Sequence, residues 1–434
     1  MTAPIAIIGT GWAGLAAAIT LVRAGAPVEL FEAAPQPGGR ARRARLEGLN
    51  LDNGQHLLMG AYTTTLELLR HIEVKEPEVL RRAPLDLVSL RGDGSRLSLS
   101  SAYLPAPWHL LAALMTARGL SWREKSQALP GMRRMLQTPP DAQHSVLQWL
   151  EDLQQPPRLI QELWIPLCLA VMNTHAEIAS ARVFFNVLQG AFTGHRSHSD
   201  LLVPRADLGS VFPEPAASWL ARQGCPLHHN QRVISIGPQA EGMHIQLRQR
   251  QSLMAQAVIM ATGHAESARL LPDVPSLQPL RDNLASLGTE PICTVYLRYP
   301  RQVRLPMPMQ GLLGGIGQWV FDRRFSGHPG VMAVVISGNG SHLALDNEAL
   351  ATAVDQELRQ HYPQWPAPLW QRVVREKQAT FCASVASEAL RPGNHTALPG
   401  LWLAGDYTDT GLPATLEGAV RSGVECARQI LSSA

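Results

Sequence analysis

Residues 4 to 14 run Pro4-Ile5-Ala6-Ile7-Ile8-Gly9-Thr10-Gly11-Trp12-Ala13-Gly14, and the reading of this stretch decides the fold. Pro4 to Ile8 is too apolar for an exposed strand and reads as a short buried one. A helix rich in Ala and Leu is expected over Leu15 to Ala24, closed by Gly25, and Pro27 to Phe31 forms the next strand, ending at Glu32. The G-x-G-x-x-G spacing gives each glycine a task. Gly9 makes the tight turn, Gly11 lets backbone approach a pyrophosphate, and Gly14 lets the helix pack closely on the strand. The helix N-terminus, with Trp12 and Ala13, then faces the phosphate charge. Glu32, beside Ala33, can accept hydrogen bonds from both ribose hydroxyls, and its charge would repel a 2′-phosphate. The unit is a dinucleotide-binding βαβ of Rossmann type.

Outward from this unit, the size and composition allow more than one domain. The chain has 434 residues, 45% of them hydrophobic and 17% charged, which suits two or three globular domains with material left for an internal pocket. A net charge of +3 is small for this size and does not support nucleic-acid binding, which needs a concentrated basic face and usually stacking aromatics. Cys168, Cys225, Cys293, Cys382 and Cys426 are scattered, with no C-x-x-C pair. This argues against a disulfide framework and against a metal site, and points to a reducing cytosol. The first 22 residues carry no side-chain charge, but Pro4, the three glycines and the lack of a positive leading region argue against a signal peptide.

Six residues past Glu32 comes Gly38-Gly39-Arg40, a turn whose glycines permit close backbone approach and whose arginine balances phosphate charge. Near the other end, the apolar strand Leu401 to Ala404 is followed by Gly405-Asp406, by Thr410-Gly411-Leu412-Pro413-Ala414-Thr415, and by a helix from about Leu416. Its first turns carry Glu417-Gly418-Ala419-Val420-Arg421-Ser422-Gly423. With these features the chain resembles the flavoprotein family that includes amine oxidases, protoporphyrinogen oxidase and carotenoid desaturases. The resemblance implies FAD, held non-covalently, with Asp406 on a ribityl or ribose hydroxyl. It also implies that the helix N-terminus after Pro413, Ala414 and Thr415 meets the flavin pyrimidine, where it stabilises negative charge. Val258 to Gly263 looks like the family's internal A-T-G strand, with Thr262 and Gly263 at the cofactor. Val233 would contact adenine through backbone, and residues 234 to 236 read as plain buried strand.

The expected fold class is α/β: a Rossmann-type FAD-binding domain, amine oxidase/glutathione reductase-like, with an interleaved mixed α+β substrate domain. Residues 1–75, 205–290 and 380–434 would form the first, and 76–204 and 291–379 the second. The segment 76–204 looks mainly helical (His144 to Leu153, Arg158 to Val171, Ser180 to Ala191). The later segment has strands at Ile292 to Tyr299 and Val331 to Ser337 and a helix at Asn347 to His361. Gly311 to Gly317 lacks Rossmann spacing and reads as a hairpin turn with exposed backbone, so no nicotinamide domain is expected.

Residues 103 to 134 concentrate Trp108, Leu110, Leu111, Leu114, Met115 and Leu120, bordered by Arg118, Arg123, Lys125, Arg133 and Arg134 against one acid, Glu124. Two readings stand side by side. One is an apolar helix suited to an anionic membrane surface, placing the chain peripherally on the inner membrane face. The other is a helix packed within the substrate domain, its basic residues in water.

Stretches outside the cofactor motifs resemble one branch of the family, the squalene-associated FAD enzymes. They are Asp52-Asn53-Gly54-Gln55-His56 with Leu57 to Tyr62, Leu163 to Cys168 with Asn173-Thr174, Ala179 to Phe184, Pro204 to Gly209, and Phe212 to Pro215. The resemblance implies reductive removal of an allylic hydroxyl from hydroxysqualene in triterpene or hopanoid synthesis. Its partners would be a long-chain isoprenoid substrate and upstream prenyl synthases. Asn53, Gly54, Gln55 and His56 would lie beside the flavin, with Gly54 letting backbone pass under it. His56 is a candidate for the group that protonates or hydrogen-bonds the leaving hydroxyl; packing of Gln55-His56 against the isoalloxazine edge is the plainer alternative. Tyr62 and His175 are further candidates. Three rival functions stay open: a carotenoid- or phytoene-type desaturase, an amine oxidase, and a non-catalytic flavin- or prenyl-binding partner of a synthase.

Overall fold

A computed structural model describes residues 3–249 and 251–433. At its centre lies a parallel sheet in the spatial order Leu227–His228, Val28–Phe31, Ile5–Ile8, Ala257–Met260, Leu401–Leu403. Ile5 to Ile8 and Ala257 to Met260 are buried throughout, as expected of central parallel strands covered on both faces. The nucleotide helix spans Trp12–Arg23, three residues earlier than its Leu-rich part suggests, because Trp12 and Ala13 already belong to its first turn. It packs on the helix Leu416–Ser433, which comes so close that a Cβ on Gly423 would stand 2.1 Å from the Ala13 carbonyl oxygen. The two ends of the sequence are thereby joined in one core.

A three-stranded antiparallel sheet, Val233–Gln239, Gly242–Leu247 and Ser252–Ala255, adjoins this unit. Here the buried-strand expectation for residues 234 to 236 is corrected. A register shift between Val233 and Ser235 turns Ile234 outward to 42% exposure, while Val233 and Ile236 stay in the core.

The second large sheet has seven strands, ordered Trp370–Thr380, Glu290–Arg298, Val331–Ser337, Trp319–Asp322, Met309–Leu313, Asp86–Arg91, Arg96–Ser100. The mainly helical expectation for 76–204 fails at its start. Leu80–Ala83 joins a small sheet with Leu58–Met59 and Leu201–Pro204, and 86–100 is a hairpin turning at Gly92-Asp93-Gly94. The turn glycines and the short apolar runs on either side are the local signal for this hairpin. The helices further on fall close to their expected places, at Val146–Asp152, Pro157–Met172 with a π-turn at Ile160–Trp164, and Ala181–Phe192. The π-turn has a local cause: Pro166 has no N–H to donate to the carbonyl four residues back, so the turn before it widens. Asn347–His361 forms a helix capped by Asp346.

Met309–Leu313 and Trp319–Asp322 make the expected hairpin. Gly314 and Gly315 at its tip are exposed, as expected, while the two residues that follow are engaged. The Ile316 and Gly317 amides donate to Glu357 Oε2 at 3.0 and 2.9 Å. The stretch 103–134 is likewise two helices, Trp108–Thr116 and Trp122–Met135, with Ser121 and Glu124 forming a capping box on the second. Lys125 does not belong to a basic border. It is buried and donates to the Met115 carbonyl at 2.9 Å, tying the two helices together. Among the described residues no helix is long and apolar enough to cross a membrane.

Candidate active site

The carboxyl ends of three neighbouring parallel strands meet in one crevice, where open α/β sheets hold their ligands. After Ile8, Gly9 takes φ +101°, and a Cβ there would lie 2.7 Å from the Ala261 carbonyl oxygen. A Cβ on Gly14 would lie 2.0 Å from the Gly9 oxygen. Gly11 differs: its Cβ would meet nothing within 4 Å, so this position faces open space. The helix behind it has no side-chain cap and no acid in its first turn, leaving amides free for an anion. Trp12 contributes only backbone, since its indole donates to the Ala41 carbonyl and packs on Phe212.

Glu32 is held in place from both sides. Its Oε2 accepts from the Thr10 amide at 2.9 Å and the Thr10 hydroxyl at 2.7 Å, and Oε1 accepts from the Ala34 amide at 2.8 Å. Ala33 beside it is exposed. The Gln231 amide donates to the Glu32 carbonyl at 2.8 Å, which brings the approach to Val233 alongside the same strand end.

The Gly38-Gly39 turn folds over the phosphate loop. Gly38 donates to the Thr10 carbonyl at 2.9 Å, and a Cβ on Gly39 would sit 3.2 Å from Gly11 Cα. Arg40 then crosses to the far end of the chain. Its Nη2 lies 2.6 Å from Asp406 Oδ1 and its Nη1 donates to the Ala379 carbonyl at 2.7 Å, with the guanidinium side chain still 36% exposed. Thr262 completes the crevice wall, 3.5 Å from the Cβ positions of both Gly9 and Gly405. Gly263 is exposed and precedes the helix His264–Leu270.

The helix Leu416–Ser433 holds its surroundings through the side chains of its first turns. Glu417, 1% exposed, accepts from the Thr64 and Thr65 amides and the Thr65 hydroxyl, capping the helix that starts at Thr63. Ser422 Oγ accepts from the Gly405 amide at 2.9 Å and so fixes the Gly405-Asp406 turn. Thr415 Oγ1 accepts from the Gly418 amide at 3.0 Å, and Pro413 and Ala414 lead into this first turn. Tyr62 precedes the Thr63 helix, where burial pushes its hydroxyl up in pKa.

On the far side of Arg40, Gly54 adopts φ +155° and is buried. The nearest atoms to its Cβ position are His56 Cε1 and Thr294 Oγ1, both at 3.8 Å. Thr294 Oγ1 is buried with no hydrogen-bond partner among the described residues, which leaves a polar atom free to meet a bound group. Asn53 Nδ2 donates to Glu376 Oε2 at 3.0 Å, so its side chain is engaged by protein. Gln55 Nε2 donates to the His56 carbonyl at 2.8 Å, and its Oε1 accepts from Arg323.

Beneath these residues, Arg323 Nη2 lies 2.9 Å from Asp52 Oδ2, with each side chain 1% exposed. Asp52 also accepts from the Leu208 amide at 2.7 Å, and its carbonyl accepts from the Tyr296 hydroxyl at 3.0 Å. Burial pushes the Asp52 carboxyl up, opposed by Arg323 and the Leu208 amide.

His56 Nδ1 is 2.8 Å from the Gly54 carbonyl. A carbonyl only accepts, so Nδ1 carries the proton and the neutral ring keeps a lone pair on Nε2. Burial lowers the His56 pKa, partly offset by Asp52. In this state the ring can accept a hydrogen bond from a hydroxyl, and it becomes a proton donor at Nε2 only when protonated. Next to it, Leu57 packs on an apolar cluster of Leu85, Leu201, Met309 and Trp319. His175 lies elsewhere, with Nε2 on the Asn339 carbonyl at 2.7 Å.

Arg323, Thr294, Tyr296 and Glu376 are absent from the sequence expectations. Arg323 sits in Asp322-Arg323-Arg324, which reads as a charged surface turn, and only its burial distinguishes it. Asn173 gains a physical role as well. It ends its helix at φ +49° and donates to Thr380 Oγ1, while its Oδ1 accepts from the Gly338 amide at 2.7 Å, stapling helix to sheet.

Across known proteins, the flavin containing amine oxidoreductase family matches residues 12–431. The chain is 30% identical to a hydroxysqualene dehydroxylase of Rhodopseudomonas palustris, covering 100% of this chain and 99% of the relative. It is 28% identical to one of Zymomonas mobilis, covering 98% of each. A zeta-carotene desaturase of Synechocystis is 24% identical, covering 99% of this chain and 97% of that one. Among solved structures, an oxidoreductase from Methanosarcina mazei aligns with TM-score 0.78 at 17% identity, covering 98% and 100% of the two chains. Cyclohexylamine oxidase from Brevibacterium oxydans aligns with TM-score 0.74 at 17% identity, covering 100% and 99%.

Proposed function

The chain belongs to the flavin containing amine oxidoreductase family, and we propose that it uses FAD to convert hydroxysqualene to squalene. The observation that carries this reading is its end-to-end similarity to the dehydroxylases. The apolar cluster beside Leu57 supports it, since an oily substrate needs such a lining.

In this reading residues 1–75, 205–290 and 380–434 hold the cofactor, and 76–204 and 291–379 hold the substrate. When bound and reduced, FAD supplies hydride from flavin N5 to the carbon that loses its hydroxyl, and alcohol plus reduced flavin become hydrocarbon, oxidised flavin and water. The free amides behind Gly11 take the pyrophosphate, Glu32 takes the ribose, and Arg40 balances charge. Leu57, Met309 and Trp319 keep water from the carbon as its bond to oxygen lengthens. Arg323 fixes Gln55, and through it the backbone that carries His56. His56 Nε2 orients the departing hydroxyl, and in its protonated form gives that oxygen the proton it needs to leave as water. The prenyl synthases expected upstream would act as suppliers of this substrate.

The test is anaerobic mixing of photoreduced, FAD-loaded protein with hydroxysqualene. The oxidised flavin band should return as squalene accumulates. Recovery of unchanged hydroxysqualene, with the band still bleached, overturns the reading. The likeness to a zeta-carotene desaturase favours one second reading, oxidation of a carotenoid-type polyene. It predicts a desaturated product from phytoene with a quinone acceptor.

A further inference from the structure

Large apolar side chains that stand in water cluster in one short stretch. Tyr103 is 89% exposed, Leu104 42%, Trp108 63% and Trp122 70%. Trp108 and Trp122 each open a helix, Trp108–Thr116 and Trp122–Met135. The buried side of the first helix is His109, Ala113 and Leu114, which leaves Trp108 on the solvent side. Lys125 ties Trp122 to the far end of that helix, through its bond to the Met115 carbonyl and its position 5.2 Å over the Trp122 ring. The aromatics therefore mark both ends of a helix roughly 13 Å long.

Charge follows the same stretch. Residues 96 to 134 contain Arg96, Arg118, Arg123, Lys125, Arg133 and Arg134 against the single acid Glu124. The five arginines are exposed. Glu124 is spent on the Ser121 cap and on Arg158. Arg196 adds a guanidinium 4.3 Å over the Tyr103 ring. Beside the helix end, an open groove of about 400 Å³ runs along the sheet edge, lined by Arg96, Arg118, Ser98, Ser100 and Thr116, with Asp86 at its side. Asp86 there accepts from the Ser100 hydroxyl at 2.6 Å.

The patch also has an inner side. Leu110, on the same helix, packs on the apolar cluster that holds Leu57, the residue after His56. A continuous apolar connection thus runs from the exposed helix to the edge of the candidate active site.

We infer that the face formed by Tyr103, Leu104, Trp108 and Trp122 docks on an anionic lipid bilayer, with the surrounding arginines on its phosphates. Tryptophan and tyrosine are the side chains that settle at the boundary between acyl chains and headgroups. Arginines beside them add attraction for an anionic surface. The docking deepens the functional reading given above and in one respect rests on it: a membrane-dissolved isoprenoid would enter past Leu110 without crossing water.

The experiment is flotation of FAD-loaded full-length protein with vesicles of phosphatidylcholine alone, or of phosphatidylcholine mixed with phosphatidylglycerol. Wild type should float with the mixed vesicles and lose much of that binding in high salt. Tyr103→Ser/Trp108→Ser/Trp122→Ser should bind them about tenfold more weakly, and Arg118→Ser/Arg123→Ser about tenfold more weakly as well. Retained flavin absorbance shows that each variant is folded. Wild type that stays with neither vesicle overturns the inference, as does a triple variant that floats like wild type. So does wild type that self-associates in the absence of lipid when the triple variant stays monomeric, since the face then serves a second copy of the chain. Turnover of detergent-dispersed hydroxysqualene separates the two readings. Turnover without vesicle binding sinks only the docking, and vesicle binding without turnover sinks only the reaction.

Discussion

Asp52 and Arg323 face each other at 2.9 Å with both side chains 1% exposed, joining the strand end before Gly54 to the turn that follows Trp319–Asp322, the middle strand of the seven-stranded sheet. A buried pair of this kind costs desolvation that its attraction barely offsets, so its value lies in fixing position. Removing one partner strands the other charge. Asp52→Leu and Arg323→Met should each destabilise the protein by about 3–5 kcal/mol, and the double variant by clearly less than the two together. Denaturant midpoints of the four proteins measure this. Additive losses would mean that the two side chains act independently.

Glu32 is expected to govern cofactor retention. Glu32→Ala removes a carboxylate placed for the ribose and frees the Thr10 amide and hydroxyl it now holds. A charge-assisted hydrogen bond lost here is worth about 2 kcal/mol, or about thirtyfold in FAD affinity. Equilibrium dialysis of the apoprotein with FAD measures the change, and unaltered affinity would remove Glu32 from the site.

Two glycines should fail in different ways. Gly423→Ala drives a Cβ to 2.1 Å from the Ala13 carbonyl oxygen, backbone against backbone, and should lower apoprotein stability by about 1–3 kcal/mol. Gly11→Ala meets nothing within 4 Å. It should leave the apoprotein's melting temperature alone and weaken FAD binding about tenfold or more. Thermal melts with and without FAD separate the two effects.

The pH dependence follows from the direction of the His56 shift. Burial lowers its pKa below the ordinary 6.5, so the donor form is scarce at neutral pH and grows only as pH falls through that lowered value. Flavin reoxidation by hydroxysqualene should therefore speed up on the acid side of 6.5. His56→Ala should abolish that rise and slow the acid-side reaction about a hundredfold. If both proteins give one pH profile, His56 only packs.

The cofactor half of the molecule was legible because its signals are local. The apolar run Ile5 to Ile8, the spacing of Gly9, Gly11 and Gly14, and the acid at position 32 fall within one supersecondary unit. Gly38-Gly39 and Gly405-Asp406 needed the family resemblance, since nothing in either stretch says that Arg40 will reach Asp406. The hairpin at 86–100 has a short signal, Gly92-Asp93-Gly94 between brief apolar runs, beside much longer helical runs. Arg323 and Thr294 were out of reach for a different reason. Each occupies an ordinary turn or strand, and its importance arises only from burial against residues about 240 to 270 positions away. The split of the Trp108 region into two helices is signalled by Ser121 and Glu124, a capping box inside a run whose apolar residues alone suggest one helix.

The strand Ile5–Ile8 forms the middle of the parallel sheet, paired on one side with Ala257–Met260 and through it with Leu401–Leu403. During translation it leaves the ribosome long before either partner exists. The crevice built by Gly9, Thr262 and Asp406 can close only when the stretch around Leu401 has emerged, so flavin is acquired after most of the polypeptide has been made. Until Ala257–Met260 is made, the apolar strand Ile5–Ile8 keeps one edge open, an exposure that favours aggregation of the newborn chain.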